Sequence, residues 1–237
     1  MDNFLFIAFP YLALIVAIGG SIYRYRATGF SYSSLSSQFL ETKSLFFGSV
    51  PFHFGIIFLF LAHLIGFLFP GLVQKIIGAN WYAFETLGLA FGLSALVGIV
   101  LLFVRRITNE RLAVVTSKMD IFIELVLIAQ IIAGILIAVQ YKWGAGWYAS
   151  NMAPYLWSIV TFSPDLSGVL ALPALIQFHI VAAFLVFLLI PFSRFVHFLV
   201  APFHYISRPF QVVIWTWDRK AIRDTNTPMT PFKPKNN

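Results

Sequence analysis

The chain has 237 residues, of which 59% are hydrophobic and only 11% charged, and its mean hydropathy is +0.85. Soluble proteins carry roughly a quarter charged residues, so this composition excludes an ordinary soluble domain. The chain has no cysteine, which excludes disulfides, an iron–sulfur cluster held by this chain and a cysteine nucleophile.

Uncharged or nearly uncharged runs predict the membrane-spanning helices in chain order. Each run is long enough to cross a hydrocarbon core of about 30 Å as a helix. We expect Pro51 and Pro70 to bound the second helix, and we expect the fifth to begin near Pro173 and to continue past Arg194. The sequence therefore predicts an all-α integral membrane protein, a bundle of five transmembrane helices, over residues 4–23, 45–74, 86–104, 121–141 and 166–193.

Lysine and arginine are distributed unequally between the two sides of this bundle. All of them except Lys75 and Lys142 fall in the segments 24–43, 105–118 and 194–235. Basic loops face the cytoplasm, so we predict an outer N-terminus and a cytoplasmic C-terminus. The net charge of +7 is then a consequence of topology in a lipid bilayer, and we expect no nucleic-acid partner.

Two regions differ in composition. Residues 1–200 are predicted to form the membrane domain, and residues 201–237 a cytoplasmic C-terminal tail in which five prolines alternate with charged residues. Because Trp215 and Trp217 lie in its first half, we expect 200–224 to dock on a partner and the remainder to be disordered.

Four of the five histidines lie inside predicted spans: His53 and His63 in the second, His179 and His197 in the fifth. An ionisable residue at membrane depth is a functional candidate, whereas hydrogen bonding between helices explains one histidine better than four. On a helix, His53 and His63 would be separated by ~15 Å along the axis, and His179 and His197 by ~27 Å. Since the two helices run in opposite senses, His53 and His197 share the cytoplasmic half, and His63 and His179 the outer half. On a continuous fifth helix His179 and His197 would occupy one face.

Two histidines from opposing helices suit one kind of metal centre best. Zinc prefers three or four protein ligands, and non-haem iron of the facial-triad type needs a carboxylate. The one acidic residue inside a span, Glu124, is interpreted as a charge at a helix N-terminus that faces the cytoplasm. Haem iron is completed by two axial imidazoles, so we predict two b-type haems that transfer electrons.

Residues near the predicted ligands have two interpretations each. Small side chains could make room for the macrocycles or could serve close helix packing, at Gly55, Ala62, Gly66, Ala182 and Ala183. Arg194, Arg105 and Arg106 could meet the propionates of the inner haem or anchor the cytoplasmic surface. His204, beyond the last span, is interpreted as a solvated or interface residue.

Several motifs together resemble the gamma subunit of membrane-bound respiratory nitrate reductase, over about residues 20–214. They are S-x-x-R-Y at 21–25, F-H-x-G-I at 52–56, H-x-x-G at 63–66, M-D at 119–120 with Gln130 and Gly134, and P-F-S-R-x-x-H at 191–197.

The resemblance implies a circuit in the cytoplasmic (inner) membrane of a prokaryote. A quinol from the quinone pool is oxidised near an outer (distal) haem held by His63 and His179, and protons are released outside. Electrons pass an inner (proximal) haem held by His53 and His197 to an iron–sulfur beta subunit. A molybdenum-containing alpha subunit then reduces nitrate in the cytoplasm.

A quinol site needs an apolar slot and a polar group that accepts a proton. We expect it near Gly66, at the mouth between the second and third spans, with Lys75 or Glu85 as the polar group. The alternative is an interfacial aromatic belt. The expected walls include the aromatic side chains of Phe67, Phe69, Trp81 and Tyr82.

Two other functions stay open. In the family a lysine of the outer segment belongs to the quinol site, whereas the basic residue of that segment here, Lys75, lies earlier in the chain. This difference is compatible with a related di-haem subunit of a nitrite oxidoreductase, or of a sulfur or heterodisulfide complex, with other partners or reversed electron flow. The second alternative is a channel or transporter with a histidine relay, but the sequence has no internal repeat that would favour it.

Overall fold

The computed structural model describes residues 1–27, 43–142 and 144–199, which all belong to one compact unit. The described residues form helices and turns, with no strand among them. The α-helices are α1 Phe9–Ala27, α2 Lys43–Leu68, α3 Pro70–Thr108, α4 Glu110–Ala113, α5 Lys118–Gln140, α6 Gly144–Trp147, α7 Ala153–Val160, α8 Ser167–Leu170 and α9 Ala174–Leu189.

Five helices are long and apolar enough to cross a membrane: Phe4–Ala27, Ser44–Leu68, Asn80–Thr108, Lys118–Gln140 and Ala174–Phe192. This confirms the predicted five-helix membrane fold. Their outer surfaces expose large apolar side chains such as Ile15 and Phe54, at 68% and 71%, whereas Asp120 and Glu124 are buried. Apolar residues outside and charges inside are what a lipid solvent requires. The side on which each terminus lies stays a prediction.

The helix neighbours define the bundle. The helix α2 packs on α3, α3 on α5, α5 on α9, and α9 on α1. By contrast, α2 and α9 approach each other closely at no more than isolated points in the described part of the chain. Two apolar cores fill the bundle, one around Phe52, Ile99 and Ile131, the other around Tyr155 and Phe184.

Glycine sets the distance between α2 and α3. A Cβ on Gly98 would lie 2.4 Å from the backbone nitrogen of Phe52, and one on Gly55 would lie 2.5 Å from the carbonyl oxygen of Phe91. These contacts are too short for any side chain, so the backbones meet through glycine, as in many membrane helix pairs. Of the two interpretations of Gly55, the structure supports close helix packing.

The expectation that Pro51 bounds the second helix is wrong. The helix α2 runs through Pro51, and prolines are tolerated inside membrane helices more readily than in soluble ones. In addition, the Ser94 hydroxyl of α3 donates to the Pro51 carbonyl oxygen at 3.0 Å and ties the two helices together at this level. Pro70 does begin α3, which continues through a kink at Asn80.

The fifth helix is also shorter than expected. It begins at Ala174, directly after Pro173 as predicted, but α9 ends at Leu189 and two single 3-10 turns follow, Ile190–Phe192 and Arg194–Phe198. Pro191 lacks the amide hydrogen that would continue the helix. Between the turns Ser193 is extended, with φ −118° and ψ 179°. His179 and His197 therefore do not lie on one continuous helix.

The segment between α5 and α9 forms short helices that the sequence analysis left unassigned. Its aromatic side chains bond to backbone oxygens of the spans: the Tyr155 hydroxyl donates to the Phe6 oxygen, and Trp157 Nε1 to the Phe67 oxygen, each at 2.8 Å. This segment covers one end of the bundle, the end at which α2 finishes and α9 begins.

Candidate functional site

Two histidines from different ends of the sequence meet where α2 faces the end of the fifth span. The ring centroids of His53 and His197 are 6.3 Å apart, and the ring planes are inclined at 61°. His53 lies in α2, and His197 lies in the 3-10 turn after α9. The structure thus brings together the pair that the helix directions predicted for the cytoplasmic half.

Backbone hydrogen bonds fix the tautomer of both rings. His53 Nδ1 lies 2.8 Å from the Ser49 carbonyl oxygen, and His197 Nδ1 lies 2.7 Å from the Arg194 carbonyl oxygen. A carbonyl oxygen only accepts, so each Nδ1 carries the hydrogen and donates. In the neutral imidazole this leaves Nε2 with its lone pair, which is the arrangement that metal-bound histidine adopts.

The separation of His53 and His197 fits one metal ion between two axial imidazoles. Taking nitrogen–metal bonds of about 2 Å, as for zinc-bound imidazole, two rings on one ion have centroids roughly 6 Å apart. The observed 6.3 Å agrees with this value. In the described residues no group of three or more His, Asp or Glu side chains could hold a metal ion. The two donors that meet here are the imidazoles of His53 and His197, and such a pair suits haem iron.

His63 lies in the other half of α2 and has the same local geometry. Its Nδ1 lies 2.7 Å from the Leu59 carbonyl oxygen. The Tyr148 ring packs edge-on against the His63 ring at a centroid distance of 5.1 Å, and the Tyr148 hydroxyl donates to the His63 carbonyl oxygen at 2.8 Å. Burial raises the pKa of Tyr148 to about 12, so its hydroxyl stays protonated and remains a donor.

His179 is seated against α5. A Cβ on Gly134 would lie 3.1 Å from His179 Cε1, so the absence of a side chain there makes room for the ring. His179 Nε2 lies 3.3 Å from the Gln130 side-chain nitrogen, while His179 Nδ1 and Gln130 Oε1 are buried without a hydrogen-bond partner. Unpaired buried polar atoms are costly, so the surroundings of His179 also fit a further group that contacts these atoms.

Two of the three arginines predicted to meet propionates have carboxylate partners inside the protein. Arg194 Nε donates to Asp120 Oδ1 at 2.9 Å, and Arg106 Nε donates to Glu124 Oε1 at 2.8 Å. Arg105 is buried. The interpretation that Glu124 faces the cytoplasm is wrong, since its side chain turns into the bundle to pair with Arg106. A propionate contact by any of the three arginines stays a prediction.

The candidate quinone residues are spread over the other end of α2 and the start of α3. Lys75 and Tyr82 are exposed. Gly66 is buried beside Tyr148, the residue that packs on His63. A Cβ on Gly66 would lie 2.7 Å from the Tyr148 ring. One oxygen of Glu85, Oε1, is buried without a hydrogen-bond partner.

Sequence reasoning missed the part played by the segment after α5. Phe67, expected as a wall between the second and third spans, instead stacks on Trp157 at a centroid distance of 5.0 Å. Tyr148, from the same segment, packs edge-on against His63. The aromatic content of this segment was its one visible signal, and that signal does not identify a partner. His204 and the tail lie outside the described residues.

Known proteins match this chain over most of its length. A family model described as nitrate reductase gamma subunit matches residues 2–216. The nitrate reductase gamma chain of Bacillus subtilis is 34% identical over 86% of this chain and 93% of its own length. The respiratory nitrate reductase 2 gamma chain of Escherichia coli is 32% identical over 90% of this chain and 96% of its own length.

Proposed function

Because the chain belongs to the nitrate reductase gamma subunit family, we propose that it is the di-haem b subunit that anchors such a complex and supplies it with electrons from quinol. As a member of this family, the chain is a membrane electron-transfer subunit of a nitrate reductase. The family lends no support to the alternative of a transporter.

The arrangement of His53 and His197 carries the proposal. Their centroid separation of 6.3 Å and their unprotonated Nε2 atoms suit the two axial positions of one haem. We assign His53 and His197 to the inner haem, and His63 and His179 to the outer haem. When bound, the two haems would supply a one-electron relay between the halves of the membrane.

The protein's own residues hold and orient the ligands of this relay. The backbone oxygens of Ser49, Leu59 and Arg194 each accept a hydrogen bond from an Nδ1 atom. Such bonds fix the ring plane and make the imidazole a stronger ligand. The helix α3 packs on α2, which carries His53 and His63, and α5 packs on α9, which carries His179.

The proposed partners follow the predicted orientation. With the basic segments in the cytoplasm, the His53/His197 pair lies nearest the partners that take the electrons, an iron–sulfur beta subunit and a molybdenum-containing alpha subunit. The membrane is then the inner membrane of a prokaryote.

Quinol would react at the opposite end. Oxidation of a quinol to a quinone releases two electrons and two protons, so the site needs an acceptor for protons near His63. The unpaired buried oxygen of Glu85 supports this carboxylate as the acceptor. Lys75 and Tyr82 are retained as binding candidates, with Gly66 providing the close approach to Tyr148.

Reduced-minus-oxidised visible spectra of the purified complex test this function. We expect two low-spin b-type signals, and we expect an inhibitor that mimics quinol to perturb the signal of the His63/His179 haem and to leave the other unchanged. A chain without haem would overturn the proposal. Perturbation of the His53/His197 haem alone would place quinol oxidation on the cytoplasmic side and contradict the proposed order of electron transfer.

The tail provides a separate test of the partners. A chain truncated after residue 200 lacks the basic and aromatic segment proposed to dock on them. We expect it to release the soluble partner complex from membranes, as measured by the partition of nitrate reductase activity between membrane and soluble fractions. A chain truncated after residue 224 is the matched control and should retain the complex. Equal retention by both chains would exclude docking by 200–224.

A further inference from the structure

His197 differs from the other three proposed ligands in the backbone that carries it. His53 and His63 lie within α2, and His179 lies within α9, where helical hydrogen bonds fix the main chain. His197 lies in a single 3-10 turn after the break at Ser193. A short 3-10 turn has few hydrogen bonds of its own, so contacts with other helices must fix the position of this ligand.

The first such contact comes from α1. Arg24 donates to the carbonyl oxygens of Pro191 and Ser193, at 2.9 and 2.6 Å. These are two of the backbone groups that the break in the helix exposes. One turn earlier on the same face of α1, Gly20 permits the approach, because a Cβ there would lie 3.0 Å from Pro191 Cβ and Cγ. The Arg24 guanidinium of α1 therefore satisfies two carbonyl oxygens at the break in the helix.

The second contact comes from the start of α5. Arg194 Nε donates to Asp120 Oδ1 at 2.9 Å, and another Arg194 nitrogen donates to the Val115 oxygen at 2.7 Å. Asp120 is itself fixed, because its Oδ2 accepts from the Ser117 amide at 2.9 Å in the capping box of α5. Asp120 is 4% exposed. At this burial the charge-assisted bond is strong and geometrically specific.

Both contacts act on the residue that orients His197. The carbonyl oxygen of Arg194 accepts the Nδ1 hydrogen of His197 at 2.7 Å. The same residue is held through its side chain by Asp120, and its preceding carbonyl group, that of Ser193, is held by Arg24. The plane of the imidazole is thus linked to α1 and to α5 through one residue.

We infer that Arg24 and Asp120 are positioning residues that set the orientation of His197 and, through it, the electronic properties of the inner haem alone. The inference rests on the proposed function, since it assigns His197 as a ligand. It adds that the inner site is tuned by charged side chains of two other helices. The outer site needs no such tethers, because both of its histidines lie within regular helix.

The test uses the full chain in membranes with its partner subunits. The variants Arg24→Gln and Asp120→Asn are compared with Arg26→Gln and Glu110→Gln, which change exposed residues of the same charge near the same end of the bundle. Electron paramagnetic resonance and redox titration measure the spectrum and the midpoint potential of each haem. Arg24→Lys, which keeps the charge and a donor nitrogen but loses the planar guanidinium, measures rescue.

We expect the signal of the His53/His197 haem to broaden or split and its potential to shift in Arg24→Gln and Asp120→Asn, with the His63/His179 haem unchanged. Arg24→Lys should be intermediate, and the two control variants should match the wild type. Equal changes in both haems would indicate a general loss of structure and overturn the inference. Unchanged spectra in both variants would also overturn it while leaving the proposed function intact. A wild-type chain without haem would defeat both.

Discussion

Replacing His53 or His197 by leucine is expected to remove one and the same haem, and replacing His63 or His179 should remove the other. Leucine offers no lone pair to iron, and a haem that loses one of two axial imidazoles loses its low-spin state and much of its affinity. Each single variant should therefore retain about half of the b-type absorbance, in a two-ligand, two-site arrangement. The measurement is the pyridine haemochrome content per chain, together with the low-spin resonances that remain.

The pairing itself is the informative part of this experiment. The 6.3 Å separation of the His53 and His197 rings requires that these two variants lose the same resonance. Loss of one resonance by His53→Leu and His63→Leu together would show that the ligands pair along α2 and would contradict the structure. His204→Leu is the control, since His204 lies outside every span, and it should keep both haems.

Replacing Gly98 by valine is expected to separate α2 from α3 and to destabilise the whole bundle. A Cβ at this position would lie 2.4 Å from the Phe52 nitrogen and 2.7 Å from the Gly48 oxygen. Backbone atoms cannot move aside as a flexible side chain can, so the helices must shift. Overpacking typically costs about 1–3 kcal/mol, and a clash with backbone atoms is expected at the upper end of this range. Because Phe52 precedes His53, the shift would also displace a proposed haem ligand.

Gly88→Val is the matched control, because it makes the same change in the same span, where no atom lies within 4 Å of the added Cβ. The free energy of unfolding in mixed micelles and the yield of haem-containing protein should fall strongly for Gly98→Val and little for Gly88→Val. Similar losses for the two variants would show that valine in α3, and not the contact with α2, is responsible.

The part of the fold that depends on solvent preference could be predicted from the sequence. An apolar run of sufficient length has one favourable conformation in lipid, a helix that satisfies its own backbone. The five spans followed from this, as did the start of the fifth directly after Pro173. The antiparallel order of the spans then predicted that His53 meets His197. In the structure the two rings do lie next to each other, and their binding of a haem is our proposal.

The boundaries at proline depended on neighbours that the sequence does not identify. Pro51 was expected to bound the second helix, yet α2 continues through it, and its carbonyl oxygen also accepts a hydrogen bond from Ser94 of α3. Pro191 was expected to lie within a helix that instead ends just before it. Both residues lack the same amide hydrogen. The surroundings also differ: Ser94 of α3 bonds to a helix that stays intact at Pro51, whereas Arg24 of α1 bonds to the carbonyl oxygens at the break that follows Leu189.

The ion-pair partners of the charged residues inside the bundle depend on the tertiary structure alone. The sequence places Glu124 near a helix start, which favours a side chain that faces the cytoplasm. A carboxylate can instead be buried where an arginine pairs with it, because a buried charge without a partner is strongly destabilising. Arg106 of α3 does so, and Arg194 reaches Asp120 in the same way. Sequence by itself determined which segments enter the membrane and which histidines enter with them, because these depend on local composition. The tertiary structure decided how His197 is held, because that depends on side chains of α1 and α5 that are distant in sequence.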